Sequence, residues 1–268
     1  PDFFHADFDV RKVNKALDQI PPDADVSASS TFLSHVAQRK NIYQFPDVRN
    51  ADYIALLCTH DYWLLSPEAY QKEVFKYMMD SNWSVIASEY PFVLLKRGAK
   101  ISNANNFKGK PGEMNVTGFK CDAETISTDG SHLVSDKGDL INNPDARNDE
   151  KAHSGKYSVK LTKDRPYGFT WIPHDVIPGE IIKVTVWRYS ESGKGLLVAS
   201  AEDGFSIGSQ EVVEKDAAGW GKIVLTLFVP VKHSNFGIYV WNETNGNDAV
   251  WFDDMQVEVY KYQTPGLN

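Results

Sequence analysis

The chain has 268 residues and a formal net charge of −8, with 42% hydrophobic, 24% charged and 12% aromatic residues. That balance is ordinary for a folded globular protein and excludes wholesale disorder and a collagen-like chain. The acidic charge argues against a broad nucleic-acid footprint, and no apolar run approaches the ~18 residues that a membrane-spanning helix needs.

Along the first 98 residues, helix and strand signals alternate. Val10, Val13, Leu17 and Ile20 recur at helical spacing until Pro21-Pro22 stops them. Short strands are predicted in ADVSAS (Ala24 to Ser29) and NIYQF, with a short helix in TFLSHVAQ between them. ADYIALLC is apolar almost throughout, as a strand covered on both faces would be. Ser66-Pro67 then opens a helix, with Ser66 as N-cap and Pro67 in the first turn. WSVIASE and PFVLLKR close the region as a strand pair. The expectation is a small α/β domain over 1–98.

Residues 99–114 have the polar, Asn/Gly/Lys-rich composition of a linker. Beyond them, YSVKL, GFTWI, IIKVTVWRY, GLLVASA, GKIVLTLFV, NFGIYVWN and VWFDDMQVEVY are short strands separated by turn residues. That pattern predicts an all-β sandwich over 115–262. Cys58 and Cys121 have no metal or redox spacing and read as two buried thiols. The chain begins at Pro1 and carries no signal-like apolar core, so it reads as a piece of a longer protein.

Four segments of the second half belong together: HSGKYSVKL from His153, VIPGEIIKVTVWRY from Val176, AAGWGKIVLTLFVP from Ala217 and VWFDDMQVEVYK from Val250. In this order they resemble the jelly-roll carbohydrate-binding modules related to families four, nine and twenty-two, and the galactose-binding-like sandwiches around them. Ile181-Ile182 departs from the Tyr those modules carry after Pro-Gly.

The resemblance implies a jelly roll with a structural calcium. Glu124 and Asp253 would be its side-chain ligands, carbonyls near Lys156 would complete the site, and Asp122 would be a further carboxylate. Alternation would place Trp251, Asp253, Met255, Val257 and Val259 on one face of the last strand, and Asp122 and Glu124 on a common face of FKCDAET. Asp253 would then point inward and need a partner. The alternative is that Asp253 accepts hydrogen bonds from a turn or pairs with a Lys.

Sugar binding would rest on aromatic rings, which stack on the apolar C–H faces of sugars. In IIKVTVWRY, Trp187 and Tyr189 alternate away from the aliphatic face; in FGIYVW, Tyr239 and Trp241 do the same. All four would form one concave platform for a glycan or glycolipid. The alternative is that loops or the other domain cover them, leaving a structural or protein-interaction module. Trp220 reads as a plug at a strand start.

IPPDADVSASSTFLSHVAQRKNIYQFPDVRNADYIAL, followed by LLKR, resembles the soluble C-terminal region of certain bacterial polytopic membrane proteins of unknown function, related to membrane-embedded glycosyltransferases. Arg39-Lys40 fills that family's basic pair. The resemblance implies a membrane-embedded portion of the same chain and a location on the periplasmic side of the bacterial inner membrane. The parent protein would be glycosyltransferase-like. These residues would themselves be non-catalytic: there is no Gly-x-Ser-x-Gly elbow or phosphate-cradling loop, and His60-Asp61 reads as a plain turn.

Overall fold

The computed structural model describes residues 9–58, 65–80, 82–89, 91–98, 115–174, 180–202, 205–229, 235–243 and 248–261. His60 and Asp61 lie outside the described residues. The chain divides into two compact units, one built mainly on residues before 116 and one on residues 116–259.

The first unit contains α1 (Val10–Leu17), β1 (Asp25–Ala28), α2 (Ser30–Leu33), β2 (Asn41–Gln44), β3 (Tyr53–Leu57), α3 (Pro67–Met79), β4 (Trp83–Glu89) and β5 (Phe92–Arg97). Its five strands form one sheet in the order β2-β1-β3-β5-β4. β1 runs parallel to β2 and β3, while β5 is antiparallel to β3 and β4. β3 is central and buried along its whole length, so its sequence has no polar face to alternate with.

Asp9 caps α1 by accepting the Arg11 and Lys12 N–H groups. The chain beyond α1 is held by Arg39, whose guanidinium donates to the Leu17 and Ile20 carbonyls at 3.2 and 3.0 Å. Ser66 Oγ accepts the Ala69 N–H at 3.3 Å and starts α3.

Polar residues within and beside β1 are satisfied internally. Asp25 accepts the Asn41 and Asn50 amides at 2.7 and 2.5 Å. Ser29 Oγ accepts the Leu57 N–H at 2.9 Å and lies 3.0 Å from Tyr70 Oη. Ser29 is therefore a structural hydroxyl in a closed network. Among the described residues, no helix is long and apolar enough to cross a membrane.

The second unit is built from strands joined by turns. It contains β6 (Asn115–Cys121), β7 (Leu133–Val134), β8 (Leu140–Ile141), β9 (Arg147–Asn148), β10 (Ser158–Leu161), β11 (Tyr167–Trp171), β12 (Ile181–Tyr189), β13 (Leu196–Ser200), β14 (Ser206–Ser209), β15 (Val212–Lys215), β16 (Gly221–Phe228), β17 (Gly237–Trp241) and β18 (Val250–Lys261).

One sheet runs β15-β16-β12-β18-β10-β9, with β6 also paired to β18; the other runs β11-β17-β13-β14. Their inner faces share one core. Val184, Val186, Ile223, Leu225 and Phe252 come from the first sheet, and Phe169, Leu197, Ala199, Ile238 and Val240 from the second. This is a sheet-on-sheet sandwich.

The expected uniform alternation along β18 is corrected. Val250 and Phe252 enter the core, and so do Met255, Val257 and Val259. The phase therefore shifts between 252 and 255. Asp254, at φ 49, takes up the extra residue, as in a β-bulge. Trp251 pairs across from Lys160 and faces outward.

The expected strand through Glu124 is also shorter. β6 ends at Cys121, and Ala123 turns the chain at φ 61. Asp122 and Glu124 thus lie in a turn, not on a common strand face.

β6 approaches β18 closely at Gly118, where an added Cβ would lie 2.0 Å from the Val257 carbonyl oxygen. Gly118→Ala must push the two backbones apart. We expect a loss of about 3 kcal/mol of stability, read by urea denaturation.

Candidate functional site

β18, an interior strand of the seven-stranded sheet, carries a carboxylate-centred clamp. Asp253 is fully buried. Its Oδ2 accepts the backbone N–H groups of His153 and Ser154 at 2.7 and 3.1 Å, and its Oδ1 accepts that of Asp254 at 2.7 Å. Burial pushes its carboxyl up to about 7, because desolvation penalises the ionised form more than the amides favour it.

Glu124 holds the other end of the same loop. Its Oε1 accepts the N–H groups of Lys156 and Tyr157 at 2.6 and 2.7 Å. Gly155 lies between the two grips at φ +59, and the space a Cβ would fill is occupied by Glu124 Oε1. Only glycine suits that position. Asp122 Oδ1 accepts the Glu124 N–H at 3.1 Å. The Lys156 side chain is exposed. Among the described residues, no three His, Cys, Asp or Glu side chains gather as a metal cluster.

The clamp positions His153. Its Nδ1 lies 2.5 Å from Asp254 Oδ2, and its Nε2 lies 3.6 Å from Asp216 Oδ2. Its ring stacks on Trp187 with centroids 4.1 Å apart and planes 17° apart. The Lys222 ammonium lies over the Trp187 ring at 4.8 Å. The imidazole and the ammonium thus both meet the Trp187 π-system, while the side chain stays partly exposed.

Tyr189 is enclosed in the same way. Trp220 and Trp251 meet it edge-on at 5.7 and 6.0 Å, and the Lys151 ammonium lies 4.3 Å from its ring. Trp220 is itself buried, with its backbone N–H donating to Asp216 Oδ1 at 2.8 Å.

The four-stranded sheet presents a different outer face. Tyr167, Trp241 and Leu196 lie in one row across β11, β17 and β13, and Thr170, Tyr239 and Val198 in the next. Tyr167 is 48% exposed. Tyr239 and Trp241 are each partly exposed. Tyr239 meets Tyr167 edge-on at 5.6 Å, and its hydroxyl lies 3.0 Å from Ser200 Oγ. Gly237, two residues before Tyr239 on β17, and Gly208, beyond Val198 in the Tyr239 row, carry no side chain, so the sheet is low there. Asn143 braces the edge strand, donating to Gly168 O at 2.9 Å and Thr170 Oγ1 at 2.8 Å.

The single platform of Trp187, Tyr189, Tyr239 and Trp241 is therefore corrected. All four alternate outward, but Trp187 and Tyr189 belong to one sheet and Tyr239 and Trp241 to the other. Outer faces of the two layers of a sandwich point in opposite directions. Alternation fixes the face of a strand but does not say which layer the strand joins.

Sequence reasoning missed Tyr167, because the predicted strand began after it at Gly168. The register shift between Tyr167 and Thr170 turns it onto the outer face. It also missed His153, whose place depends on a contact a hundred residues away in sequence.

Comparison with protein-family models and with curated proteins gives no match. Among solved structures, the chain is similar to the xylan-binding CBM22-1 domain of Paenibacillus barcinonensis Xyn10C. The identity is 15%, covering 55% of this chain and 96% of that one, with a TM-score of 0.35. It is similar to TmCBM61, solved in complex with β-1,4-galactotriose, at 21% identity over 54% of this chain and 87% of that one, with a TM-score of 0.29. It is also similar to a Stig cyclase, Fisc, from Fischerella sp. TAU, at 12% identity over 59% of this chain and 88% of that one, with a TM-score of 0.32. Every one of these TM-scores is below 0.5.

Asp253→Ala would strand the His153 and Ser154 amides and release the loop over Trp187. We expect a loss of about 2–4 kcal/mol, because three backbone N–H groups lose a buried acceptor together. Amide hydrogen exchange at 153–157 should rise by more than in the core strands.

Proposed function

We propose that the sandwich binds carbohydrate on the outer face of the four-stranded sheet. Trp241 and Tyr239 are the stacking rings, and Tyr167 is a third. The observation that carries this is the contiguous, partly exposed set Tyr167, Trp241 and Tyr239 on adjacent strands. Glycines leave low ground beside it, the Thr170 hydroxyl stands in the Tyr239 row, and the Ser200 hydroxyl stands in the next row, 3.0 Å from Tyr239 Oη. Aromatic faces with a few polar neighbours are what a sugar ring requires.

The same reasoning assigns Trp187 and Tyr189 to structure, since imidazole, ammonium and indole groups of the protein already pack on their rings. If the rings of the four-stranded sheet instead meet a protein partner, the module is structural; glycan binding separates the two readings. Trp241→Ala and Tyr239→Ala should each weaken binding on a glycan array about 30-fold, as loss of a central stacking residue does. Trp187→Ala should bind like the parent chain at a temperature where it remains folded.

Calcium is proposed as a structural ion at the clamp. The donor chemistry fits: calcium takes hard oxygens from carboxylates and carbonyls. Glu124 and Asp253 are two carboxylates gripping one loop, and Asp253 is a buried carboxyl that burial drives toward neutrality. Carbonyls near Lys156, and Asp122, are further oxygens of the same kind. The ion would tie loop 153–157 to β18. Calcium a hundredfold above its Kd should raise Tm by about 5 °C or more, and Glu124→Gln should remove that rise. An unchanged Tm in both proteins would reject the ion.

The periplasmic location, the membrane-embedded portion and the glycosyltransferase-like parent are supported by the motifs of residues 9–98 alone. In that reading the sandwich presents a glycan or glycolipid to the parent protein.

A further inference from the structure

The outer face of the seven-stranded sheet carries a groove that the proposed sugar platform does not use. It has a volume of about 610 Å³ and is lined by Lys120, Lys183, Thr185, Trp187, Lys222, Val224, Asp254, Gln256 and Glu258. Those residues come from β16, β12, β18 and β6, so the groove crosses strands. Along β12, Thr185 lies between Lys183 and Trp187; along β18, Gln256 lies between Asp254 and Glu258. Val224 is the cross-strand partner of Thr185.

The floor is therefore Val224, Thr185 and Gln256. One wall is the Lys183–Glu258 ion pair at 3.0 Å. The other is Trp187 with Lys222 and Asp254. Four residues along an extended strand put the walls about 13 Å apart.

We propose that this groove is a second saccharide site, selective for a carboxylate-bearing, uronate-type oligosaccharide. Both acids that line it are already engaged. Glu258 pairs with Lys183. Asp254 is held on the loop side, with Oδ2 at His153 Nδ1 and Oδ1 accepting the Ser154 hydroxyl at 2.7 Å. Lys222 pairs with Glu214. Lys120 is exposed and has no ion pair among the described residues. A protein of net charge −8 thus keeps an unneutralised cation at the groove.

The floor's polar side chains, the Thr185 hydroxyl and the Gln256 carboxamide, make no hydrogen bond among the described residues. Trp187 already carries a stacked imidazole and an ammonium on its ring, so stacking on a sugar ring is not the groove's main offer. What it offers is hydroxyl and amide groups beside an ammonium. A chain of hydroxyls with periodic carboxylates matches that set. A neutral glycan would leave the charge unused, and an acidic peptide would leave the floor unused.

The test is an NMR titration of the ¹⁵N-labelled full chain with tri-galacturonic acid, galactotriose and hexaglutamate. We expect saturable shifts at Lys120, Thr185, Val224 and Gln256 with tri-galacturonic acid only. The affinity should fall several-fold from 50 to 300 mM salt, since the contact is surface-exposed. Lys120→Glu should weaken it at least tenfold, with Lys120→Ala intermediate, and Trp241→Ala should leave it unchanged. Loss of binding in Trp241→Ala would reassign the saccharide to the four-stranded sheet and overturn the second site. Equal binding of galactotriose or hexaglutamate, or no shift at these four amides, would overturn it too.

Discussion

The arrangement of the second unit depends on how one buried carboxylate is satisfied. Asp253 has no access to water, and it sits where β18 changes phase. A buried carboxyl needs donors, and the nearest are the amides of His153 and Ser154. Accepting them fixes the loop against the last strand, and Glu124 fixes its other end. Everything on the nearby outer surface follows. His153 is carried over Trp187, Asp254 is turned toward His153, and a ring that alternation leaves in solvent becomes part of a stacked cluster.

The two outer faces illustrate one rule with opposite results. Each strand puts aliphatic side chains into the shared core and aromatics outside. On the seven-stranded sheet, the outward rings are covered by His153 and by Lys151, Lys160 and Lys222. On the four-stranded sheet, Tyr167 stays exposed, and Tyr239 and Trp241, partly exposed like Trp187 and Tyr189, have no cation or imidazole on their rings among the described residues. A ring whose faces touch ammonium or imidazole already has what its quadrupole attracts. A ring with a free face is available to a ligand. The difference between the sheets is thus a matter of neighbours, since both carry comparable aromatic residues.

In the first unit, the same accounting explains polar residues inside a sheet. Asp25, Ser27 and Ser29 all lie buried in or beside β1. Each has partners: side-chain amides for Asp25, the Asp47 carbonyl for Ser27, and the Leu57 amide and Tyr70 for Ser29. These side chains are thus held by hydrogen bonds within the unit.

Much of the local structure was legible in the residues themselves. The Ser66-Pro67 helix start, the unbroken apolar β3, and the inward Ile182, Val184, Val186, Ile238 and Val240 follow from capping and period-two alternation. These are short-range properties, set by a residue and its near neighbours. Three features were decided only in the folded chain: the bulge that turns Trp251 outward, the separation of Trp187 and Tyr189 from Tyr239 and Trp241, and the place of His153. Each depends on which strands become neighbours and which amide meets Asp253, across about a hundred residues of chain in the last case. Alternation along one strand is a local consequence of backbone geometry. Sheet membership and loop anchoring are set by the global balance of core packing and buried hydrogen bonding, which no single segment encodes.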